Sequence, residues 1–472
     1  MMSAKVTLEV VSGPIEKKVF TFDRHDTFLF GRSDDCHARI ETDRRVSRHH
    51  FLLEANPPDV RIRDLGSRNG TYVNGVKYGG RPEVRGQRPE VGDRRPDLRP
   101  LTSDLCAFVD LKHGDTITVG YTTIRVTVEA PHRQTIMEAH GCDRCGKDVA
   151  SQLQQQRSGK YLCQACQNEL LSDSGGLRHL ILEAGREIRN AAVPSIAGYE
   201  IGEEIGKGGM GAVYKGVRRS NGRTVAIKVM LAKIAVDEKA RRMFLREIDI
   251  TRQLEHQYIV SLLDSGAAGS AFYFIMDYCG GGSLDRLMKR HGNKLPLNVA
   301  MPLMLQCLDG LEYAHQAKII HRDLKPQNIL LDNCDGRLTA RITDFGLSKS
   351  FETAGLSGMT ATGSFGGTYY FMPREQIVNF KFFRPVSDLW SMAATFYSVL
   401  TGCFALDFPR GRDPVEVVLG EQPVPLLRRD ATISPAVAAV IDRALVPAVE
   451  DRYQSAAELK QALRQALGRS VS

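Results

Sequence analysis

His321-Arg322-Asp323-Leu324-Lys325-Pro326-Gln327-Asn328 places an acid, a lysine and an amide in one short run, and Asp344-Phe345-Gly346 adds a second acid soon after. Three further features lie on the N-terminal side. Gly206-Lys207-Gly208-Gly209-Met210-Gly211 has GxGxxG spacing, with Val213 two residues on and a strand-like run on each side. Glycines at that spacing let backbone amides approach phosphate oxygens closely, although dinucleotide folds and ordinary turns share it. Val225-Ala226-Ile227-Lys228 ends an apolar strand on a lysine able to reach the α- and β-phosphates of a nucleotide. Phe244-Leu245-Arg246-Glu247 lies in a helix-like run, where Glu247 can pair with Lys228 if that helix swings inward.

In order and spacing these motifs resemble the eukaryotic-type protein kinase family in its bacterial form, over residues 199–467. The resemblance implies a two-lobed α+β fold that uses ATP with Mg2+ or Mn2+. It makes Asp323 the group that orients the substrate hydroxyl and accepts its proton, and Lys325 the neutraliser of charge on the transferred phosphoryl. Asn328 and Asp344 become the metal ligands, in keeping with the preference of hard divalent cations for oxygen donors. Gly206, Gly208 and Gly211 cover the phosphates, and Lys228, held by Glu247, contacts them. Val213, Ala226 and Leu330 are the implied adenine slot, with Met276 as gatekeeper and Asp277, Tyr278 and Cys279 as a hinge read through backbone groups.

Lys325 and the pair Gly367-Thr368 resemble the serine/threonine branch of that family. Met372-Pro373-Arg374-Glu375 departs from the family's Ala-Pro-Glu, but Glu375 is kept and can pair with Arg452, while Asp388 matches an acid that braces the catalytic loop. Arg322 beside Asp323 implies an activation loop ordered by a phosphate, with Thr360 or Thr362 as the autophosphorylation site. A pseudokinase scaffold that assembles phosphoprotein partners is the alternative, although Lys228, Glu247, Asp323, Asn328 and Asp344 form a complete set that a scaffold does not need.

Residues 1–130 alternate with period two: Val6, Leu8 and Val10 can share one strand face, as can Ile124, Val126 and Val128. Asn69-Gly70 and Asn74-Gly75 supply turn signals, and an all-β sandwich is expected. A mobile insertion is expected over residues 77–108, whose Arg, Pro and Gly content is too poor in apolar side chains to offset the entropy of ordering. Phe30-Gly31-Arg32-Ser33, Ser47-Arg48-His49-His50 and Ser67-Arg68-Asn69-Gly70-Thr71 resemble the forkhead-associated family, a sandwich that binds phosphothreonine peptides through loops at one end. That resemblance implies phosphate contacts from Arg32 and Ser47, with support from Arg48, Arg68 and Asn69, while His50 braces the loops. The implied partners are threonine-phosphorylated proteins or the chain's own phosphorylated loop.

Cys142-x-x-Cys145 and Cys163-x-x-Cys166 fall within the zinc-site spacing of about 15–20 residues and suit a small structural Zn2+ module, a zinc ribbon or similar finger, over residues 138–170. Leu177, Leu180, Ile181, Ala184 and Ile188 recur at helical spacing in the linker, residues 171–198. With 42% hydrophobic and 25% charged residues, the 472-residue chain can bury several cores. A net charge of +8 is modest for this length, and without an aromatic stacking platform nucleic acid is not the expected partner. No long apolar run suggests a membrane span and the remaining cysteines are scattered, so a reduced, cytoplasmic protein acting on protein substrates is expected.

Overall fold

Val6, Leu8 and Val10 are buried on one face of β1 (Lys5–Ser12), and β11 (Thr122–Glu129) sets Val126 opposite Leu8 and Ile124 opposite Val10. The computed structural model describes residues 4–23, 26–80, 108–129, 196–208, 211–231, 251–268, 271–334, 337–345, 369–378, 383–409 and 411–469. β1 and β11 belong to a sheet of order β2-β1-β11-β10-β7-β8, completed by β2 (Val19–Phe22), β7 (Thr71–Val73), β8 (Val76–Tyr78) and β10 (Thr116–Val119). The facing sheet has order β4-β3-β5-β6-β9, from β3 (Asp26–Gly31), β4 (Ala38–Arg39), β5 (Phe51–Asn56), β6 (Asp59–Asp64) and β9 (Val109–Leu111). Leu8, Phe28, Phe30, Phe51, Leu53, Ile62, Ile117 and Val126 meet between the two sheets as one core, as expected for a sandwich.

Asn74 (φ 50°) and Gly75 (φ 79°) make the tight turn between β7 and β8, with Val73 opposite Val76. The region expected to leave the fold at residue 77 therefore starts later. Lys77 and Tyr78 pair with Tyr72 and Thr71 in the ladder, and at the far end the Arg61 guanidinium lies 4.2 Å above the ring of Phe108. Backbone pairing and a cation–π contact hold Lys77, Tyr78 and Phe108 at the two edges of the expected insertion, and residues 81–107 lie outside the described residues. The cysteine segment and the linker up to residue 195 lie outside them too.

Ile196 is already part of the C-terminal unit, buried with Tyr199, Val225, Ile227 and Ile275. That unit opens with an antiparallel sheet of order β12-β13-β14-β16-β15: β12 (Tyr199–Gly208), β13 (Gly211–Arg218), β14 (Thr224–Leu231), β15 (Leu262–Ala268) and β16 (Ala271–Asp277). A small sheet of β17 (Gly282–Ser283), β18 (Ile329–Cys334) and β19 (Arg337–Ile342) follows, among helices α1 (Leu284–Arg290), α2 (Leu297–Gln316), α3 (Arg374–Val378), α4 (Pro385–Thr401), α5 (Pro414–Gly420), α6 (Leu426–Arg429), α7 (Pro435–Ala444) and α8 (Ala456–Arg469). α4 is buried nearly all round and runs through the core of the helical lobe; it starts on a proline and stops at Gly402, whose φ of 71° favours glycine. The start of α8 is capped by Ser455 and Glu458. Glu458 N donates to Ser455 Oγ at 3.1 Å, but the Glu458 carboxylate accepts from Gln454 N rather than from Ser455.

Leu29 and Leu52 point away from the sandwich core, as the strand period requires, yet both are buried. Together with Cys36 and Leu65 they pack against Met372, Ile377, Leu406, Val415, Val417, Val418 and Leu419, so the second sheet of the sandwich is covered on both faces.

Candidate active site

β14 directs Val225, Ile227 and Val229 into the core of its sheet, which turns Ala226 and Lys228 to the opposite face. Val213 of β13 lies opposite Lys228, and Met276 of β16 lies opposite Ala226. Gly206 pairs with Val213 and Gly208 with Gly211 at the end of the ladder where β12 gives way to β13. Gly211 has no room for a side chain: an added Cβ would lie 2.1 Å from the Val229 carbonyl oxygen. Past Met276 come the expected hinge residues, Asp277 as the last of β16 and Tyr278 and Cys279 beyond it. The Asp277 carboxylate pairs with Arg223 at 2.6 Å and with Arg341 at 3.3 Å, and burial pushes the Cys279 thiol up to about 11, so it stays neutral. Leu330 is half-buried on β18.

The catalytic loop is held from below. Asp388 on α4 is completely buried and accepts hydrogen bonds from His321 N at 2.8 Å, Arg322 N at 2.9 Å and His315 Nε2 at 2.8 Å. Burial works to raise its pKa, but the hydrogen bond and charge of His315, with further help from His321, hold the carboxyl below its ordinary value. His321 Nε2 donates to Thr343 O at 2.7 Å, its Nδ1 accepts from Asp323 N at 3.1 Å, and its ring meets Phe345 edge-on at 4.7 Å. Arg322 (φ 72°) and Asp344 (φ 65°) adopt left-handed backbone that costs about 1–3 kcal/mol each, and this bonding holds the loop against that strain.

Lys325 Nζ lies 2.8 Å from Asp323 Oδ2. Asn328 Nδ2 donates to Asp323 O at 2.7 Å and to Asp323 Oδ2 at 3.1 Å, which turns Asn328 Oδ1 the other way. Lys228 Nζ donates to Asp344 Oδ2 at 2.7 Å, joining the sheet to this loop. Glu247, the expected partner of Lys228, lies outside the described residues, as do Thr360, Thr362, Cys142, Cys145, Cys163 and Cys166. Glu375 meets Arg452 as expected, at 2.7 and 3.1 Å, so the Met-Pro-Arg-Glu departure leaves that pair in place. Two ammonium groups, two carboxylates and an amide oxygen, in clusters joined where Thr343 N donates to Asn328 O at 3.0 Å, suit a polyphosphate with a hard divalent cation.

At the loop end of the sandwich, three loops are tied together around Arg32 and Ser47. Arg32 N donates to Ser47 O at 3.0 Å and Arg32 Nε to Val46 O at 2.6 Å. Arg68 N donates to Ser47 Oγ at 2.9 Å, and Asn69 Nδ2 to Arg45 O at 2.7 Å. Arg48 is exposed on the same loop as Ser47, and its carbonyl accepts from Ser33 N. His50 braces the group as expected: Nδ1 accepts from Ser47 N at 3.0 Å and Nε2 donates to Gly70 O at 3.2 Å. Burial lowers the His50 pKa, keeping the neutral tautomer that this arrangement requires.

Sequence reasoning passed over several residues that position these sites. Gln376 Nε2 donates to Arg322 O at 2.9 Å and ties α3 to the catalytic loop, but a glutamine inside a short helix carries no motif. Arg63, Asp413, Asp35 and Arg374 join the sandwich to the helical lobe across great sequence distances. Among the described residues Asp35, Cys36 and His49 form the one group with metal-like composition. Asp35 is held by His49 at 2.9 Å and by Arg374 at 2.5 Å, and burial with the Asp35 charge pushes the Cys36 thiol up to about 12, so the group is a salt-bridge cluster beside a neutral thiol.

The protein kinase domain model matches residues 199–464, and the FHA domain model matches residues 28–86. The serine/threonine-protein kinase pkn2 of Myxococcus xanthus is 34% identical over 261 residues, covering 55% of this chain and 31% of that protein. PknB of Mycolicibacterium smegmatis is 33% identical over 270 residues, covering 56% of this chain and 42% of that protein. The chain thus spans less than half the length of these relatives. The crystal structure of the Mycobacterium tuberculosis PknI kinase domain aligns with a TM-score of 0.47 at 24% identity, over 59% of this chain and 99% of that one.

Proposed function

The chain belongs to the protein kinase family, and from that membership we propose that it transfers the γ-phosphoryl group of ATP to serine and threonine hydroxyls of proteins. The pairing of Lys228 with Asp344 beside the cluster of Asp323, Lys325 and Asn328 carries this reading. Asp323 orients the acceptor hydroxyl and takes its proton, and Lys325, close to that carboxylate, steadies charge on the moving phosphoryl. Lys228 holds the α- and β-phosphates beneath the Gly206–Gly211 hairpin, while Val213, Ala226, Met276 and Leu330 enclose the adenine. Asn328 Oδ1 and the Asp344 carboxylate fit a magnesium or manganese ion, because the Asn328 amide nitrogen is committed to Asp323. When bound, such an ion neutralises charge on the β- and γ-phosphate oxygens.

Glu247 completes the set by pairing with Lys228, and a phosphate on Thr360 or Thr362 orders the activation loop against Arg322. Cys142, Cys145, Cys163 and Cys166 hold a structural zinc ion, on the strength of their spacing. Cys36, Cys279 and Cys307 are free and buried, which supports a reducing, cytoplasmic setting. Among the described residues no helix is long and apolar enough to cross a membrane. Incubation of the full chain with magnesium ATP is expected to label serine or threonine hydroxyls, with phosphate at Thr360 or Thr362. Folded protein that labels no hydroxyl, in itself or in added protein, rejects the reading.

The FHA domain gives the chain a phosphothreonine reader. Arg32 and Ser47 meet the phosphate, with Arg48, Arg68 and Asn69 around it. Arg32→Ala is expected to weaken phosphothreonine-peptide binding by roughly a hundredfold, the loss of a charge-assisted pair, while costing only about 1 kcal/mol of stability for the bond to Val46 O. Calorimetric titration checks this, and unaltered affinity removes Arg32 from the contact.

A further inference from the structure

The reader is fixed against the surface that follows the activation loop. Arg63 on β6 donates to Asp413 Oδ2 from Nη2 at 2.5 Å and from Nε at 3.1 Å, and its Nη1 lies 3.3 Å from the Tyr369 hydroxyl. Both members of that ion pair are almost fully buried. Around it lies the apolar contact of Leu29, Leu52 and Leu65 with α3, α5 and Met372. An apolar cluster enclosing a buried ion pair with two hydrogen bonds has the character of a permanent interface rather than a passing contact.

Two of the phosphate-reading loops reach this interface directly, and the third is tied to it through Asp35. Asp35, on the loop that carries Arg32, pairs with Arg374 at the start of α3. His49, on the loop of Ser47 and Arg48, holds the same Asp35 at 2.9 Å. Gly66, just before Arg68 and Asn69, faces Glu416 on α5 and Asp413, which caps that helix. In turn α3 is bonded through Gln376 to the carbonyl of Arg322, the residue before Asp323. One short helix therefore separates the reader's loops from the catalytic loop.

We propose that the phosphothreonine pocket is an exosite of the transfer centre, so that the preferred substrates are polypeptides already phosphorylated on threonine, anchored by Arg32 and Ser47 while a second serine or threonine of the same polypeptide reaches Asp323. This rests on the kinase and reader assignments made above. The physical gain is effective concentration: a substrate anchored at a fixed distance meets the catalytic loop far more often than a free one, which lowers KM and leaves kcat nearly unchanged. The same phosphothreonine chemistry could come from the chain's own activation loop, and the test separates the two sources.

The test uses the full chain and peptides carrying one acceptor serine and one phosphothreonine on either side of it, at spacings of roughly 4 to 16 residues, about 13 to 55 Å when extended. Each is compared with its unphosphorylated twin. The expected result is a kcat/KM advantage of at least about tenfold at a preferred spacing, carried by KM. That ratio is expected to fall to near one in Arg32→Ala. It is expected to fall likewise in Leu52→Lys, which places a second cation across the ladder from Arg63, and in Val418→Lys on the facing helix. Separation of the two units in these variants is read by hydrogen exchange over residues 414–420. A ratio near one at every spacing, in protein that binds the phosphopeptides and phosphorylates their twins, overturns the exosite and leaves both assignments standing. An advantage that survives separation in Leu52→Lys and Val418→Lys overturns it too, as does one seen only after phosphatase treatment, which would place the chain's own loop in the pocket. Failure to bind any phosphopeptide strikes the reader assignment itself.

Discussion

Asp323→Asn is expected to lower kcat for phosphoryl transfer by about a thousandfold, or about 4 kcal/mol of transition-state stabilisation. The substitution keeps the size of the side chain and removes only its charge and its ability to take a proton. Asn328 can still bond the residue 323 carbonyl, and Asp388 still holds His321 N and Arg322 N, so the loop keeps its shape. Lys228 and Asp344 are untouched, and KM for ATP should stay within about threefold. Steady-state kinetics beside a melting curve checks both halves. A variant that retains a tenth or more of wild-type kcat would show that another group takes the hydroxyl proton.

Arg63→Ala is expected to cost about 3–5 kcal/mol, the range for removing one partner of a buried ion pair. Asp413 serves twice at this place: its carboxylate meets Arg63, and it caps α5 by accepting from Val415 N at 2.8 Å. Burial raises the Asp413 pKa and the Arg63 guanidinium opposes the rise. Without Arg63 only the backbone hydrogen bonds from Val415 and Glu416 still oppose the rise, and the folded variant holds a proton that the unfolded chain gives up at lower pH. A folded pKa above the unfolded value contributes stability that is lost as pH rises, so the deficit of the variant should be smaller near pH 5 than near pH 8. Denaturant unfolding followed by Trp390 fluorescence, the single tryptophan of the chain, measures it at both pH values. The pair Arg63→Met with Asp413→Asn, which keeps a capping oxygen and leaves no lone charge, should recover part of the loss. A cost below about 1 kcal/mol at pH 8 would mean that the interface opens readily to water.

Which parts of the fold could be read from the sequence follows from the range of the interactions involved. The alternation of Val6, Leu8 and Val10 reports a strand with one buried face because side-chain direction is set by local backbone geometry. Asn74-Gly75 reports its turn for the same local reason, through the positive φ angles that both residues adopt. The pairing of Glu375 with Arg452 was legible because each sits in a recognisable motif. Gln376 and Arg63 belong to no motif, and their partners are set by packing between distant segments.

By itself the sequence determined the order of the modules and the chemical groups each one offers: a glycine hairpin, a strand lysine, an acid–lysine–amide loop, and arginines with a serine at the end of a sandwich. Only the tertiary structure decided that Lys228 meets Asp344, that Asp388 carries the strained backbone at Arg322, and that the outward face of the second sandwich sheet is buried against α3 and α5. Period-two alternation marks which residues leave the strand on each side, but it is silent on what covers them. Leu29 and Leu52 therefore read alike whether they face water, another molecule or, as here, a helix more than three hundred residues away along the chain.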